Sequence, residues 1–206
     1  MGLYGRYVLP LLVDLGCGAK PVDRQRRKVV PLAEGRVLEV GFGTGLNLPH
    51  YDADRVSRVY GLDPGKGMLA RARDRSAGLG FEVEHLPLSG EQVPLDDDSV
   101  DTVVITYTLC TIPDALAALA EMHRVLRPLG RLIFCEHGLA PDPDVAAWQG
   151  RINPFWRPLT GGCNLNRDIP GLLDEGGFAV DDLETMYLPG TPRPMGFNYW
   201  GTARPR

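Results

Sequence analysis

The chain has 206 residues, 44% of them hydrophobic and 23% charged, with a formal net charge of −4, which is room for one domain with a full-sized core and little spare. That much apolar side chain excludes a disordered chain, and the absence of a long basic block argues against duplex nucleic acid as a partner. Cys17, Cys110, Cys135 and Cys163 form no C-x-x-C pair and stand at no zinc spacing from a histidine, so free thiols in a reducing compartment are expected and a bound metal is not.

Residues 1–34 read as an N-terminal helical cap. The apolar run Tyr7–Val13 is interrupted by Pro10 and flanked by Arg6 and Asp14. A spanning helix needs about 20 apolar residues, so no bilayer crossing is expected here, nor a signal peptide. The run reads as a short helix over the domain, with an interfacial segment at a membrane surface as the alternative. Arg24, Arg26, Arg27 and Lys28 read as a solvated helix face, with contact to an anionic surface, through residues 1–28 as a whole, as the alternative.

From residue 35 onward, apolar runs alternate with helical patterns. "RVLEVG" (36–41) is predicted as a buried strand, and "GLNLPHY" (45–51) as the start of a helix broken at Pro49. "RVYGLD" (58–63) is a second strand, followed by a helix over 66–75. "GFEVEHL" (80–86) alternates as a third strand, and "SVDTVVITYTL" (99–109) is a fourth. Helical spacing then runs over 114–126, and "GRLIFCEH" (130–137) is a fifth strand. The next stretch, rich in Pro, Gly, Trp and Asn, reads as an irregular insertion with one short helix around Val145–Ile152. "RDIPGLLDEGGF" reads as a helix ending at a Gly pair, and "FAVDDLETMYL" and "MGFNYWGTARP" as a closing strand pair. This grammar predicts an α/β, Rossmann-like, doubly wound sheet, mostly parallel with an antiparallel C-terminal strand. No linker divides the chain, so residues 1–206 are read as one domain. Within it, 35–137 form a cofactor-binding half and 138–206 an acceptor-side insertion and hairpin.

Gly41, Gly43 and Gly45 fall at the carboxyl end of the first strand, where open sheets bind ligands. A dinucleotide loop of the form G-x-G-x-x-G wants glycine at position 46, which is Leu46, and no Gly-Lys-Ser/Thr follows for a triphosphate. Asp63, ending the second strand, can accept hydrogen bonds from ribose hydroxyls. Glu39, two residues before the first glycine, suits a cationic ligand better than a pyrophosphate.

With those residues, "VLEVGFGTG…GLD" resembles the class I S-adenosylmethionine-dependent methyltransferases. "LSGEQVPLDDDSVDTVV" (88–104) resembles the family's adenine-side turn, acidic loop and fourth strand. "EMHRVLRPLGRLIF" (121–134) resembles its "RVLKPGG" unit, with Leu129 in place of the first glycine. The likeness covers roughly residues 35–140. It implies S-adenosyl-L-methionine as cofactor, with Glu39, Gly41, Gly43, Gly45, Asp63, Pro64, Met68, Gly90, Glu91 and Thr106 as the residues that bind it. Asp96–Asp98 read as a solvated loop.

The acceptor side is expected over the carboxyl edge of strands four and five, at Tyr107, Thr108, Cys110, Glu136 and His137. His137 is the expected general base, since its unperturbed pKa lies near neutrality, and Tyr107 is expected to orient the methyl group or the acceptor. Cys163 reads as a buried small hydrophobe, and Trp148, Phe155 and Trp156 as a pocket wall or core. The carboxyl-terminal third is similar to animal membrane-associated methyltransferases of alkyl thiols, through "CEH" (135–137), "NPFWRPLTGGCNLNRD" (153–168) and "GFNYWGTA" (196–203). The long hydrophobic anchor of those animal members is not expected in residues 1–34. "VLEVGFGTGLNLPHY" also resembles bacterial phospholipid N-methyltransferases, and a weaker similarity to quinone C-methyltransferases covers the cofactor half. The resemblances together imply an enzyme that methylates a small apolar acceptor, a thiol by preference, by metal-free in-line displacement; the free thiols point to the cytoplasm, and the lack of a heptad or long exposed apolar helix to a monomer. A phospholipid N-methyltransferase docked at the inner membrane face and a non-catalytic cofactor-binding protein are the alternatives.

Overall fold

A computed structural model of the chain describes residues 14–206. The run Tyr7–Val13, with its two readings, lies outside the described residues. In chain order the elements are α1 (Lys20–Val29), β1 (Gly35–Val40), β2 (Val56–Leu62), α2 (Lys66–Arg75), β3 (Glu82–Leu86), β4 (Val100–Thr106) and α3 (Ala115–Val125). They continue with β5 (Leu126–His137), α4 (Pro143–Leu159), α5 (Ile169–Glu175), β6 (Phe178–Tyr187), α6 (Arg193–Gly196) and β7 (Phe197–Pro205).

The strands form one sheet in the order β3-β2-β1-β4-β5-β7-β6. The pairs β1–β2, β1–β4, β2–β3 and β4–β5 are parallel, and β7 runs antiparallel between β5 and β6. The chain reverses direction across the sheet between β1 and β4, so the carboxyl ends of those strands open a crevice at the switch point. The predicted doubly wound sheet with an antiparallel C-terminal strand is the observed one.

Residue alternation along each strand feeds two cores. Leu38, Val40, Val103, Ile105, Leu132 and Phe134 face one side and meet Ala118, Leu119 and Met122 of α3 and Ile169 and Leu173 of α5. Val37, Val59, Val104, Ile133 and Cys135 face the other and meet Val29 of α1 and Ala72 of α2. Leu119 is fully buried, which makes truncation to alanine a loss of about 2–5 kcal/mol.

Four predicted elements differ, one of them the fifth strand, which begins at Leu126 rather than at residue 130. Residues 45–51 hold turns and a short 3-10 helix over Leu48–His50, which leaves helical geometry at Tyr51 (φ −69°, ψ 139°), rather than the start of an α-helix. The fourth strand stops at Thr106, since Tyr107 takes a φ of +53° and turns the chain. The short helix around Val145–Ile152 is a 17-residue helix that runs through Pro154 and Pro158. Each proline removes one helical donor, but the carbonyls this frees, on Gly150 and Pro154, belong to exposed residues that water can reach. Leu129, which replaces a family glycine, is 99% exposed. No helix among the described residues is long and apolar enough to cross a membrane.

Candidate active site

The loop that leaves β1 carries Gly41, Gly43 and Gly45, all at positive φ. At Gly41 a Cβ would overlap the Thr108 side chain, whereas at Gly43 its nearest neighbour would be the Gly41 carbonyl at 3.8 Å. Gly41 therefore lets the β4 turn pack against the loop, and Gly43 faces open space over the crevice.

Asp63 closes this loop from the end of β2. One carboxylate oxygen accepts from the Gly43 N–H at 2.9 Å and the other from the Gly65 N–H at 2.7 Å. Burial pushes its pKa up, and the two backbone donors oppose that rise. Each oxygen keeps a lone pair for a further donor. Pro64 is exposed and Met68 half-buried, at the entry to α2. Asp14 grips the other side of the loop: it accepts from the Thr44 hydroxyl at 2.5 Å and from Arg75 at 3.1 Å. Arg75 also donates to the Thr44 carbonyl at 2.7 Å.

Glu39 is 2% exposed. Its carboxylate accepts from Asn47 Nδ2 at 3.0 Å and from the Tyr51 hydroxyl at 2.7 Å. Burial raises its pKa to about 7 against the pull of Tyr51, Arg26 and Asn47. Each carboxylate oxygen thus already accepts one hydrogen bond within the protein.

Arg26 corrects the reading of a solvated basic face. Its residue is 5% exposed, and Nη1 donates to Asn47 Oδ1 at 2.7 Å and to Thr106 Oγ1 at 2.6 Å. Asn47 Nδ2 donates to the same Thr106 oxygen at 3.0 Å. Of the basic cluster, Arg24, Arg27 and Lys28 are exposed; Arg27 pairs with Asp23, and Lys28 lies over the Trp200 ring at 4.1 Å. Arg26, Asn47 and Tyr51 were not singled out from the sequence. An arginine within a charged run carries no mark of burial, although the i, i+3, i+4 relation of Arg26 to Val29 and Val30 places it on the inner face.

Gly90 is buried against Val40 and Ile112. Glu91 stands beside it, bonded to Ser89 and accepting from the Asp114 N–H at 3.3 Å. These two residues thus tie the β3–β4 connection to the start of α3. Asp97, from the loop read as solvated, pairs with Arg124 at 2.8 Å and is largely exposed.

On the acceptor side, the positive φ of Tyr107 is held by its neighbours. Its N–H donates to the Cys135 carbonyl at 2.9 Å, and Glu136 Oε1 accepts from the Thr108 and Leu109 N–H groups at 2.8 and 3.0 Å. The Tyr107 hydroxyl donates to Asn198 Oδ1 at 2.6 Å, and the Arg26 guanidinium stands 5.3 Å from its ring centre. Glu136 Oε2 is buried with no hydrogen-bond partner among the described residues.

His137 Nε2 lies 3.2 Å from Cys163 Sγ. Burial disfavours the imidazolium, but Cys163 and Glu136 outweigh that and raise its pKa. The Cys110 thiol and burial push Cys163 up, against His137. Cys163 is half-buried rather than fully buried, and its raised pKa favours the neutral thiol. The structure draws it together with Cys110 and His137 across 53 positions of chain, a proximity that sequence spacing cannot reveal. Trp156 donates to Cys163 at 3.5 Å, whereas Trp148 and Phe155 are 55% and 75% exposed and line no core.

The crevice fits an adenosyl ligand with a cationic centre. It offers an open position at Gly43, a carboxylate at Asp63 and a second buried carboxylate at Glu39. The basic groups beside the loop, Arg26 and Arg75, are committed to protein acceptors.

A family model described as a methyltransferase domain matches residues 38–134. The chain is 33% identical over 177 residues to the thiol S-methyltransferase TMT1B of Homo sapiens, covering 83% of this chain and 72% of that protein. It is 40% identical over 127 residues to a phosphatidylethanolamine N-methyltransferase of Cereibacter sphaeroides, covering 61% and 62%. A solved S-adenosylmethionine-dependent methyltransferase of Leishmania major shares the fold with a TM-score of 0.70 at 19% identity, over 98% of this chain and 80% of that one. The sheet order, the glycine loop with its acids and these relationships agree: the chain belongs to the class I S-adenosylmethionine-dependent methyltransferases.

Proposed function

We propose that this enzyme transfers the methyl group to a small apolar thiol. The observation that carries the reading is the convergence of Cys110, His137 and Cys163 beside Trp156, beyond the carboxyl ends of β4 and β5. These are soft and apolar groups, suited to a sulfur acceptor rather than to a sugar or a phosphate. Similarity to proteins named thiol S-methyltransferases extends over this half of the chain and supports the same reading.

S-Adenosylmethionine, when bound, supplies an electrophilic methyl group on a positively charged sulfur. The protein's part is to hold and align. Asp63 and the Gly43 N–H form the ribose end, as the hydrogen-bonding capacity of a carboxylate allows. Gly41, Gly45, Gly90, Glu91, Pro64 and Met68 shape the walls. Thr106, Asn47 and Arg26 fix the floor between cofactor and acceptor, and Tyr107 sets the turn that presents Thr108 and Cys110. In-line transfer needs little more than this alignment and a deprotonated acceptor. We assign His137 to the step in which the acceptor loses its proton.

A second reading has one observation in its favour. Trp148 and Phe155 are exposed on the same face of α4, as on helices that rest at a lipid interface, and the phosphatidylethanolamine N-methyltransferase similarity points the same way. Incubation of the purified protein with S-adenosylmethionine and an alkyl thiol, followed by mass spectrometry, is expected to reveal the methyl thioether. A panel of alkyl and aryl thiols that yields none contradicts the thiol reading.

A further inference from the structure

The donor atoms of Cys110, His137 and Cys163 all lie within 4.8 Å of one another, and Cys163 Sγ is 3.2 Å from His137 Nε2. In a tetrahedral zinc site, bonds of about 2.3 Å to sulfur and 2.0–2.1 Å to nitrogen put neighbouring donors roughly 3.5–3.8 Å apart. The Cys163–His137 pair stands slightly inside that spacing and no donor pair lies beyond 4.8 Å, so shifts of a few tenths of an ångström to about 1 Å bring the three donors to it. Two thiols and an imidazole are the donors that zinc prefers, and they do not suit magnesium or calcium.

The three donors come from three separate segments, and each segment is tied down. Cys110 follows the β4 turn, whose N–H groups are held by Glu136. The Cys110 carbonyl accepts from both the Asn164 N–H and the Asn164 side chain at 2.9 Å, which fastens the Cys163 loop to the Cys110 loop. Arg167 donates to the Leu109 and Ile112 carbonyls on either side of Cys110. His137 is the last residue of β5, paired with Asn198 of β7. These bonds fix the backbone positions of the three donors relative to one another.

We propose that Cys110, His137 and Cys163 form a zinc site whose open fourth position takes the sulfur of the acceptor. The proposal rests on the thiol reading and specifies it. Three protein ligands with one open position is the arrangement of catalytic rather than structural zinc, and a coordinating thiol is deprotonated outright. On coordination the acceptor R–SH releases its proton to solvent and shares a sulfur lone pair with the ion. The thiolate sulfur then bonds to the methyl carbon as the methyl–sulfonium bond breaks, and that bond's electron pair stays on the departing sulfur. The products are the neutral thioether R–S–CH3 and S-adenosylhomocysteine. A thioether is a weak ligand and leaves the ion. His137 thus promotes deprotonation as a ligand.

The test uses the purified full chain, treated with chelator and reductant and then titrated with cobalt(II) as a spectroscopic stand-in for zinc. One equivalent is expected to bind with a sulfur-to-cobalt charge-transfer band and a tetrahedral visible spectrum. The band is expected to weaken in Cys110→Ser and Cys163→Ser, each checked for folding by S-adenosylhomocysteine binding, and to shift when an alkyl thiol is added without cofactor. No band, or a band unchanged in both variants, overturns the proposal, as does a cobalt spectrum indifferent to thiols. Chelator-treated, metal-free protein that methylates thiols at an undiminished rate also overturns it, and leaves the thiol reading intact. Failure of the thiol reading itself has a different signature, a cobalt-binding protein that methylates no thiol.

Discussion

Glu39 offers a sharp test of the site's electrostatics. Its pKa stands at about 7, against an ordinary 4.5, because burial disfavours the carboxylate more than Tyr51, Arg26 and Asn47 stabilise it. Below about pH 4.5 the residue is protonated in both folded and unfolded chains, so it does not bear on stability there. Between 4.5 and 7 the unfolded chain releases the proton while the folded one keeps it, so stability falls as pH rises, and above 7 the loss is complete. At about 1.4 kcal/mol for each pH unit, the loss is about 3 kcal/mol. Glu39→Gln keeps the shape and cannot ionise. Urea unfolding of both proteins near pH 5 and near pH 8 is the assay. Relative to the parent, the variant is expected to gain about 2.5 kcal/mol between those two conditions. An equal pH dependence in the two proteins refutes the reasoning, and so does a gain of the opposite sign.

Other perturbations address the remaining parts of the crevice. Arg26→Met leaves Asn47 and Thr106 without their buried donor and is expected to cost about 2–3 kcal/mol near neutral pH. Adding Glu39→Gln should recover at least about 0.5 kcal/mol of it, because the lost cation no longer faces a charge; strict additivity in urea unfolding contradicts the coupling. Asp63→Ala should weaken S-adenosylhomocysteine binding by about 1.5–3 kcal/mol by calorimetry, and unchanged affinity removes the ribose assignment. Gly43→Ala should cost only about 1–2 kcal/mol of stability for its positive φ, yet reduce S-adenosylhomocysteine affinity at least tenfold. Equal affinity in that variant means the open space at Gly43 is not where the ligand lies.

The sheet was legible because its strands are buried runs bounded by turn residues, and Val37 to Val40 or Val103 to Ile105 cannot be solvated strands or loops. The glycine loop and Asp63 were legible because only glycine serves at those backbone positions and the acid ends a recognisable strand. The extent of α4 was not, since two prolines inside a helix contradict local propensity and are tolerated only where the freed carbonyls reach water. Arg26 was hidden for a related reason. Charge runs read as surface, and its burial depends on Asn47 and Thr106, which arrive from 21 and 80 positions away. The cluster of Cys110, His137 and Cys163 is a product of topology alone. It forms because β4 and β5 are neighbours in the sheet and Asn164 binds the Cys110 carbonyl.

The central claim is methyl transfer to a thiol. The most direct measurement offers the purified protein labelled S-adenosylmethionine together with small alkyl thiols and phosphatidylethanolamine vesicles in one reaction, and follows the label. The account predicts label in the thioether, lost in Asp63→Ala, with little in the lipid. Label in the lipid alone contradicts it.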